Sequence, residues 1–444
     1  MIKIATIINR HNAEQKSALG RSSISQFVAV VLLGLVVAEP AAAVSYGIFD
    51  SRGLAMGGAT VAASKYHSAQ YYNPALLALH DTHESKSRDA RFVFPDLVLQ
   101  YSNNLEEVAD VVEADIDTTI ENAVVAFNVD ASVANATAIA NGARELRDAL
   151  GDLGNQDYVV DGFIGMSVSE PSKFQGGGFF FGVRTLGAGS STIPQSDLDL
   201  IDRYIDALDL IASGGDPADL PPDLIDANGN LIDPNDRIES SGQAGGLIMS
   251  EWGVAMSKRF DVWGQGLAVG VTPKLLRVDA YRENVTFTDR DADLSESELT
   301  HLTGNADIGV ALELFENYRI GLAVKDIIKK EFDTANDLRL KLAPRPRMGL
   351  AYMNSWFTFG VDMDLVESEP LANEAPTKEM AVGMEVTPLA GLDLRVGYRE
   401  DMAGERAPVT SYGVELRGRY LTLELGYSES EEIRGGSIQF GFIF

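Results

Sequence analysis

The chain contains no cysteine, which excludes disulfide stapling, thiolate metal sites and cysteine catalysis. It also lacks the basic excess that a nucleic-acid partner requires. Against 65 Asp plus Glu stand only 36 Lys plus Arg, for a formal net charge of -29 over 444 residues. Histidine is scarce, and His67, His80, His83 and His301 show no metal-ligand spacing. The glycines of Gly53 to Gly58 lack the strand and the following Lys of a nucleotide-binding loop, and no serine sits in a nucleophile motif. These absences point away from an enzyme and away from any resident cofactor. Proline is sparse as well, 16 residues against 42 glycines, while 19 Phe and 14 Tyr are present, a mixture expected of strands and tight turns.

Long apolar runs are missing after residue 43, so no helix of 18 or more apolar residues is available to cross a membrane. Before that point, Lys16 and Arg21 precede the apolar run Phe27 to Ala38, and small residues follow at Ala41 to Ala43. A helix of that length rises only about 18 Å, too little for a bilayer core. Residues 1–43 therefore read as a signal peptide. An exported chain without a membrane helix is periplasmic, secreted, or inserted as a β-barrel in the outer membrane of a Gram-negative cell.

Alternation decides among these. In the stretch 357–365, Phe357, Phe359, Val361, Met363 and Leu365 share one face, and Thr358, Gly360, Asp362 and Asp364 share the other. The pattern recurs. Leu392, Leu394, Val396 and Tyr398 oppose Asp393, Arg395, Gly397 and Arg399, and Leu421, Leu423 and Leu425 oppose Thr422, Glu424 and Gly426. Strands are predicted at 91–101, 157–168, 174–188, 245–259, 264–281, 304–316, 318–328, 345–353, 356–367, 377–388, 392–400, 408–418, 420–429 and 436–444. The number is even, as antiparallel closure requires, and short and long connections alternate. The fold class is thus all-β, a transmembrane antiparallel barrel occupying 89–444. Its short turns, near Pro171, Phe260, Glu316, Asn354, Ala390 and Gly418, are assigned to the periplasm.

Two extracellular insertions, 102–156 and 189–244, are too long to be plain loops. Val108, Val111, Val112, Ile116 and Ile120, and then Ala143, Leu146 and Leu150, recur at helical spacing, and a further helix is expected at 195–212. Asp226, Asn228 and Asn230 offer hard oxygen ligands for calcium, as do Asp289, Asp291 and Asp293. However, the register of Gly229 and the absence of a closing Glu favour a solvated acidic turn. Inward-facing Asp362, Asp364, Glu385, Asp393, Arg395, Arg399, Glu415, Arg417, Glu424 and Gln439 mix both signs. Such a lining suits either water or a folded plug.

The plug candidate is 44–88, with Arg52, Gly53, Met56, Gly57 and Gly58 in one motif and Asn73, Pro74 and Ala75 in a second. The pairing of Arg-Gly-Leu-Ala-Met-Gly-Gly-Ala with Asn-Pro-Ala resembles the N-terminal hatch of FadL/TodX-type outer-membrane transporters of hydrophobic compounds. In length and layout the chain also resembles the related TraF-like family, labelled conjugal transfer proteins. The terminal Phe444 resembles the signal read by the barrel assembly machinery. The first resemblance implies a plugged fourteen-stranded barrel that passes apolar molecules to a lateral opening. The second implies contact with a conjugation apparatus, as a structural envelope component without transport. Lipid and lipopolysaccharide are the implied surroundings.

Overall fold

The computed structural model describes residues 44–79, 90–105, 116–154, 156–262, 264–286, 299–333, 339–368 and 376–444. The signal peptide, residues 80–88 of the plug candidate with His80 and His83, the helical positions Val108, Val111 and Val112, and Asp289, Asp291 and Asp293 lie outside the described residues. Fourteen antiparallel strands close into a barrel. They are β1 (Arg91–Ser102), β2 (Asp157–Glu170), β3 (Gln175–Thr192), β4 (Ser241–Val262), β5 (Gln265–Thr286), β6 (Leu299–Leu314) and β7 (Tyr318–Lys325), then β10 (Arg345–Met353), β11 (Phe357–Asp364), β12 (Glu379–Leu389), β13 (Leu392–Asp401), β14 (Val409–Arg417), β15 (Leu421–Glu429) and β16 (Ile433–Ile443). Each pairs with its neighbour in the chain, and β1 closes on β16 with Leu97 opposite Ile438. The Phe444 backbone N–H donates to the Ala90 carbonyl at 3.0 Å, extending the seam by one bond.

The alternation places the side chains. On β13, Asp393 and Arg395 are buried whereas Leu394, Val396 and Tyr398 are exposed. The same outward apolar row continues through Leu350, Phe359, Met384, Leu425 and Phe440. A closed sheet leaves no backbone group unpaired toward lipid, so this apolar exterior can face hydrocarbon. Aromatic residues gather where the short turns lie, with Tyr318, Tyr352, Trp356 and Phe357 in ring contact.

Three features differ from expectation. Strands β4 and β5 each run for 22 residues, about twice the 9–11 that cross a bilayer. The second insertion therefore shortens from 189–244 to 193–240, and the turn placed near Phe260 falls after Val262, the last residue of β4. The connection 329–344 is not plain loop, since β8 (Lys330–Asp333) pairs there with β9 (Arg339–Leu342) as a separate ribbon. Finally, the register of β1 shifts between Val93 and Asp96 against both β2 and β16, while pairing from β2 through β4 is unbroken.

The two insertions fold together. Helices α3 (Ile116–Val129), α4 (Val133–Leu153) and α5 (Gln195–Ala212) share one apolar core built from Ile120, Ile139, Leu146, Leu150, Tyr204 and Leu208, joined by Leu224 and Leu231 from the turn-rich segment. Ser132 caps α4 by accepting from Asn135 N. None of the described helices is long and apolar enough to cross a membrane.

Candidate functional site

Residues 44–79 are almost wholly buried. They form the short helices α1 (Ser51–Ala55) and α2 (Ala69–Tyr72) and a 3-10 turn at Pro74–Ala78. Helix α1 packs on β13, β14, β15, β16 and β1, whereas the 3-10 turn packs on β3, β4, β5 and β6. One short segment can touch opposite walls of a cylinder only from inside, so it fills the lumen. Local capping explains its shape. Asp50 accepts from Gly53 N at 2.7 Å and caps α1, and Asn73 accepts from Ala75 N at 3.2 Å to cap the 3-10 turn, with Pro74 at its first position. The two motifs are stitched together. Tyr72 donates to the Asp50 carboxylate at 2.7 Å and accepts from Phe49 N at 2.8 Å, while the Asn73 amide donates to Val61 O at 2.9 Å. Gly57 and Gly58 turn the chain with φ of 65° and 95°, a region L side chains rarely adopt.

The barrel wall is cut to fit. Every strand from β5 to β7 and from β10 to β15 contributes one inward glycine where the segment passes, and these are cross-strand partners: Gly270 with Gly309, Gly321 with Gly349, Gly383 with both Gly360 and Gly397, and Gly413 with Gly426. A Cβ at Gly321 would stand 2.6 Å from Val61 O, and one at Gly383 would stand 2.6 Å from Met56 O. Such separations are far inside van der Waals contact. Any side chain on this belt would drive the segment off the wall.

Ion pairs lie on both sides of the belt. Toward the short turns, Arg52 Nε is 3.1 Å from Glu385, and the Lys65 ammonium is 2.6, 3.2 and 3.3 Å from Asp393, Glu415 and Glu385. Arg395 holds Glu385 at 2.7 Å and Glu424 at 2.6 Å, and Arg417 holds Asp393 at 2.7 Å. Glu385, Asp393 and Glu415 stand close enough together to coordinate a cation, and the Lys65 ammonium occupies that position. Toward the long connections, Asp362 accepts from Thr60 N and Val61 N at 2.6 and 2.7 Å, Arg347 lies 3.4 Å from Asp364, and Arg399 lies 3.4 Å from Glu379. On the facing wall Lys274 is 2.7 Å from Asp326 and 3.0 Å from Asp307, and Arg345 pairs with Asp326. Burial, reinforced by Arg91, pulls the His67 imidazole down to about 4, so it is neutral at pH 7 although Glu424 lies 3.4 Å away. Burial likewise raises the Asp50 carboxyl above its usual range, against the Tyr72 hydrogen bond.

A family profile described as "F plasmid transfer operon, TraF, protein" matches residues 70–364, more than half of the chain. The chain belongs to this family. No curated protein matches it. Among solved structures it is similar to the toluene transporter TodX of Pseudomonas putida, with 10% identity, TM-score 0.47, and 90% of this chain and 98% of that one covered. It is similar to a FadL homologue of Pseudomonas aeruginosa with 11% identity, TM-score 0.46, and 91% and 100% covered. This TraF-family protein is an outer-membrane β-barrel, as its closed sheet and apolar exterior require. The matched range takes in Asn73 and Pro74 but leaves out Arg52 to Gly58 and all of β12 to β16.

The structure brings Arg52, Glu385, Asp393, Arg395, Glu415, Arg417 and Glu424 into one network, and places Asp362, Asp364 and Arg399 in a second. It keeps Asp226, Asn228 and Asn230 apart from both. There Asp226 accepts from Asn228 N and Asn230 N at 2.8 Å each, and these bonds hold its carboxyl below the usual range. Sequence reasoning missed Lys65, Arg91, Lys274, Asp307 and Arg345. For Lys274 a signal existed, because Gly270, Thr272 and Lys274 alternate with Val271 and Leu275, but Pro273 in mid-strand obscured it.

Proposed function

We propose that the protein is a passive uptake channel for small hydrophobic molecules, with residues 44–79 as a displaceable hatch and the helical insertions on its extracellular face. One observation carries this reading. The inward faces of β3, β4 and β5 present Leu186, Leu247, Met249, Leu276 and Val278, which meet Phe332 and Leu342 of the β8–β9 ribbon and Val44. Apolar side chains at this end of the barrel favour an apolar guest once they part, since each Å² of apolar surface buried there returns roughly 25 cal/mol. Beyond it the path narrows among the described residues. A cavity bordered by Val44, Gln100 and Tyr101 measures about 80 Å³, less than the roughly 150 Å³ that admits benzene, so passage requires the hatch to shift.

The test uses the absence of native cysteine. A Cβ at Gly178 on β3 would lie 3.7 Å from the Gln70 Cβ, inside the disulfide range, so the Gln70→Cys/Gly178→Cys pair locks the hatch to the wall. Oxidised protein in liposomes is expected to lose uptake of toluene-sized solutes, and reduction is expected to restore it. Uptake by wild-type protein no faster than by empty liposomes ends the transport reading.

The family description favours a second reading, a structural envelope component that contacts a conjugation apparatus through the self-packed helical insertions. Mating that fails on deletion, and is rescued by the oxidised lock variant, selects this reading over transport.

A further inference from the structure

Around much of the lumen the hatch lays its main chain directly on glycines of the wall. The atom nearest a Cβ at Gly270 is Ala75 N, at Gly321 it is Val61 O, at Gly383 Met56 O and at Gly397 Gly57 N. On β2, β3 and β4 the inward glycines are covered differently. Gly165 and Gly182 are cross-strand partners, and a Cβ at either would stand 2.5 Å from the Phe163 ring. Gly253 lies under the ring of its own cross-strand partner, Phe180. Here the hatch presents side chains rather than main chain. The Phe49 and Tyr71 rings meet Phe163 edge-on with centroids 5.2 and 5.5 Å away, and Tyr71 meets Phe180 at 5.1 Å. All four rings are buried.

The same side of the barrel carries buried apolar clusters along its length. Leu186, Met249 and Leu276 belong to one toward the long connections, Phe163 and Phe180 to the aromatic one, and Ala255 and Ala268 join Leu76 and Leu77 in another toward the short turns. The charges among them are paired, Arg184 with Asp161 and Lys274 with Asp326, at 2.7 Å each. Across the lumen, β12 to β15 carry the Glu385, Arg395, Glu415 and Glu424 network instead. Where the hatch is bonded to the wall, as Thr60 N and Val61 N are to Asp362, parting breaks hydrogen bonds. Ring contacts are non-directional, and a side chain reorients faster than a backbone segment moves. We propose that an apolar guest crosses the glycine belt between the hatch and the β2–β4 wall, and that Phe163 and Phe180 are the gate whose ring size sets the widest guest admitted. A phenyl ring that turns aside as the hatch shifts frees a space of its own size, floored by bare glycine. The gate presupposes that the protein passes apolar solutes, and the Gln70–Gly178 lock closes this same sector.

The test is uptake of toluene, and of the wider naphthalene, by vesicles that carry the protein and have lipopolysaccharide in their outer leaflet to slow free entry. Phe163→Ala is expected to raise both initial rates several-fold, naphthalene by the larger factor. Phe163→Trp is expected to lower both below wild type. Each substitution disturbs packing, so loosening alone would raise the rate in both variants, and opposite signs identify a gate. Should Phe163→Trp fail to assemble, the measurement is made on Phe180→Trp, where a lowered rate supports the gate and an unchanged or raised one overturns it. Alanine and tryptophan variants that match wild type, or whose rates move in the same direction, overturn the gate and leave the transport reading standing. Wild-type uptake no faster than that of empty vesicles ends both.

Discussion

In the helical insertions, Ile139, Leu146, Tyr204 and Leu208 are shut away from solvent, and Arg144, Arg147 and Arg203 meet Asp209, Asp202 and Asp223 at the surface. In the barrel the order is reversed: Arg395, Glu415 and Glu424 are shut away, and Leu394, Val396 and Leu425 are outside. Both arrangements come from one acidic chain, so composition does not decide which residues go inside. The medium against the outer face does. Water rewards a charged exterior and an apolar interior, whereas hydrocarbon requires an apolar exterior and pushes every charge into the lumen, where each must find a partner.

That contrast can be broken at its strongest point first. Arg395→Met removes the cation shared by Glu385, Glu415 and Glu424 and leaves buried carboxylates behind, so a loss of about 3–5 kcal/mol is expected in urea-induced unfolding from detergent micelles. A neutral effect would mean that the lumen is far wetter than its packing indicates. In the insertions the equivalent injury is apolar. Leu208→Ala opens a cavity in the three-helix core, with an expected local cost of about 2–5 kcal/mol. Protease should then cut within 116–154 or 193–238 while the barrel keeps its heat-resistant mobility on a gel. Loss of barrel stability as well would show that the two regions fold as one unit. The smallest effect belongs to a charge that faces water. Arg144→Ala breaks the pair with Asp209, whose partners are both about half exposed, and is expected to change stability by less than about 1 kcal/mol.

Much of this architecture was legible beforehand because strand alternation is a local property. Residues such as Leu394, Arg395 and Val396 announce their faces to a reader who knows nothing of their partners. Where the signal was interrupted, reading failed. Pro273 hid Lys274, and the long strands β4 and β5 ran past the predicted ends because Ser241 to Ala244 carry no strong apolar alternation. Gly360, Gly383, Gly397, Gly413 and Gly426 could be seen to point inward. Their purpose could not, since it depends on the backbone of Met56, Gly57 and Ala55 coming to rest against them.

Period, parity of strands and the two N-terminal motifs were written into the order of residues, since each depends on neighbours a few positions apart. Which charge meets which was settled only by closure and filling of the barrel. Arg52 and Glu385 are separated by 333 positions, and Lys65 and Glu415 by 350. Nothing local links such pairs. The cylinder brings them together because burial in a lipid-clad lumen leaves a charge no water to fall back on, and so selects the arrangement in which an opposite charge is already there.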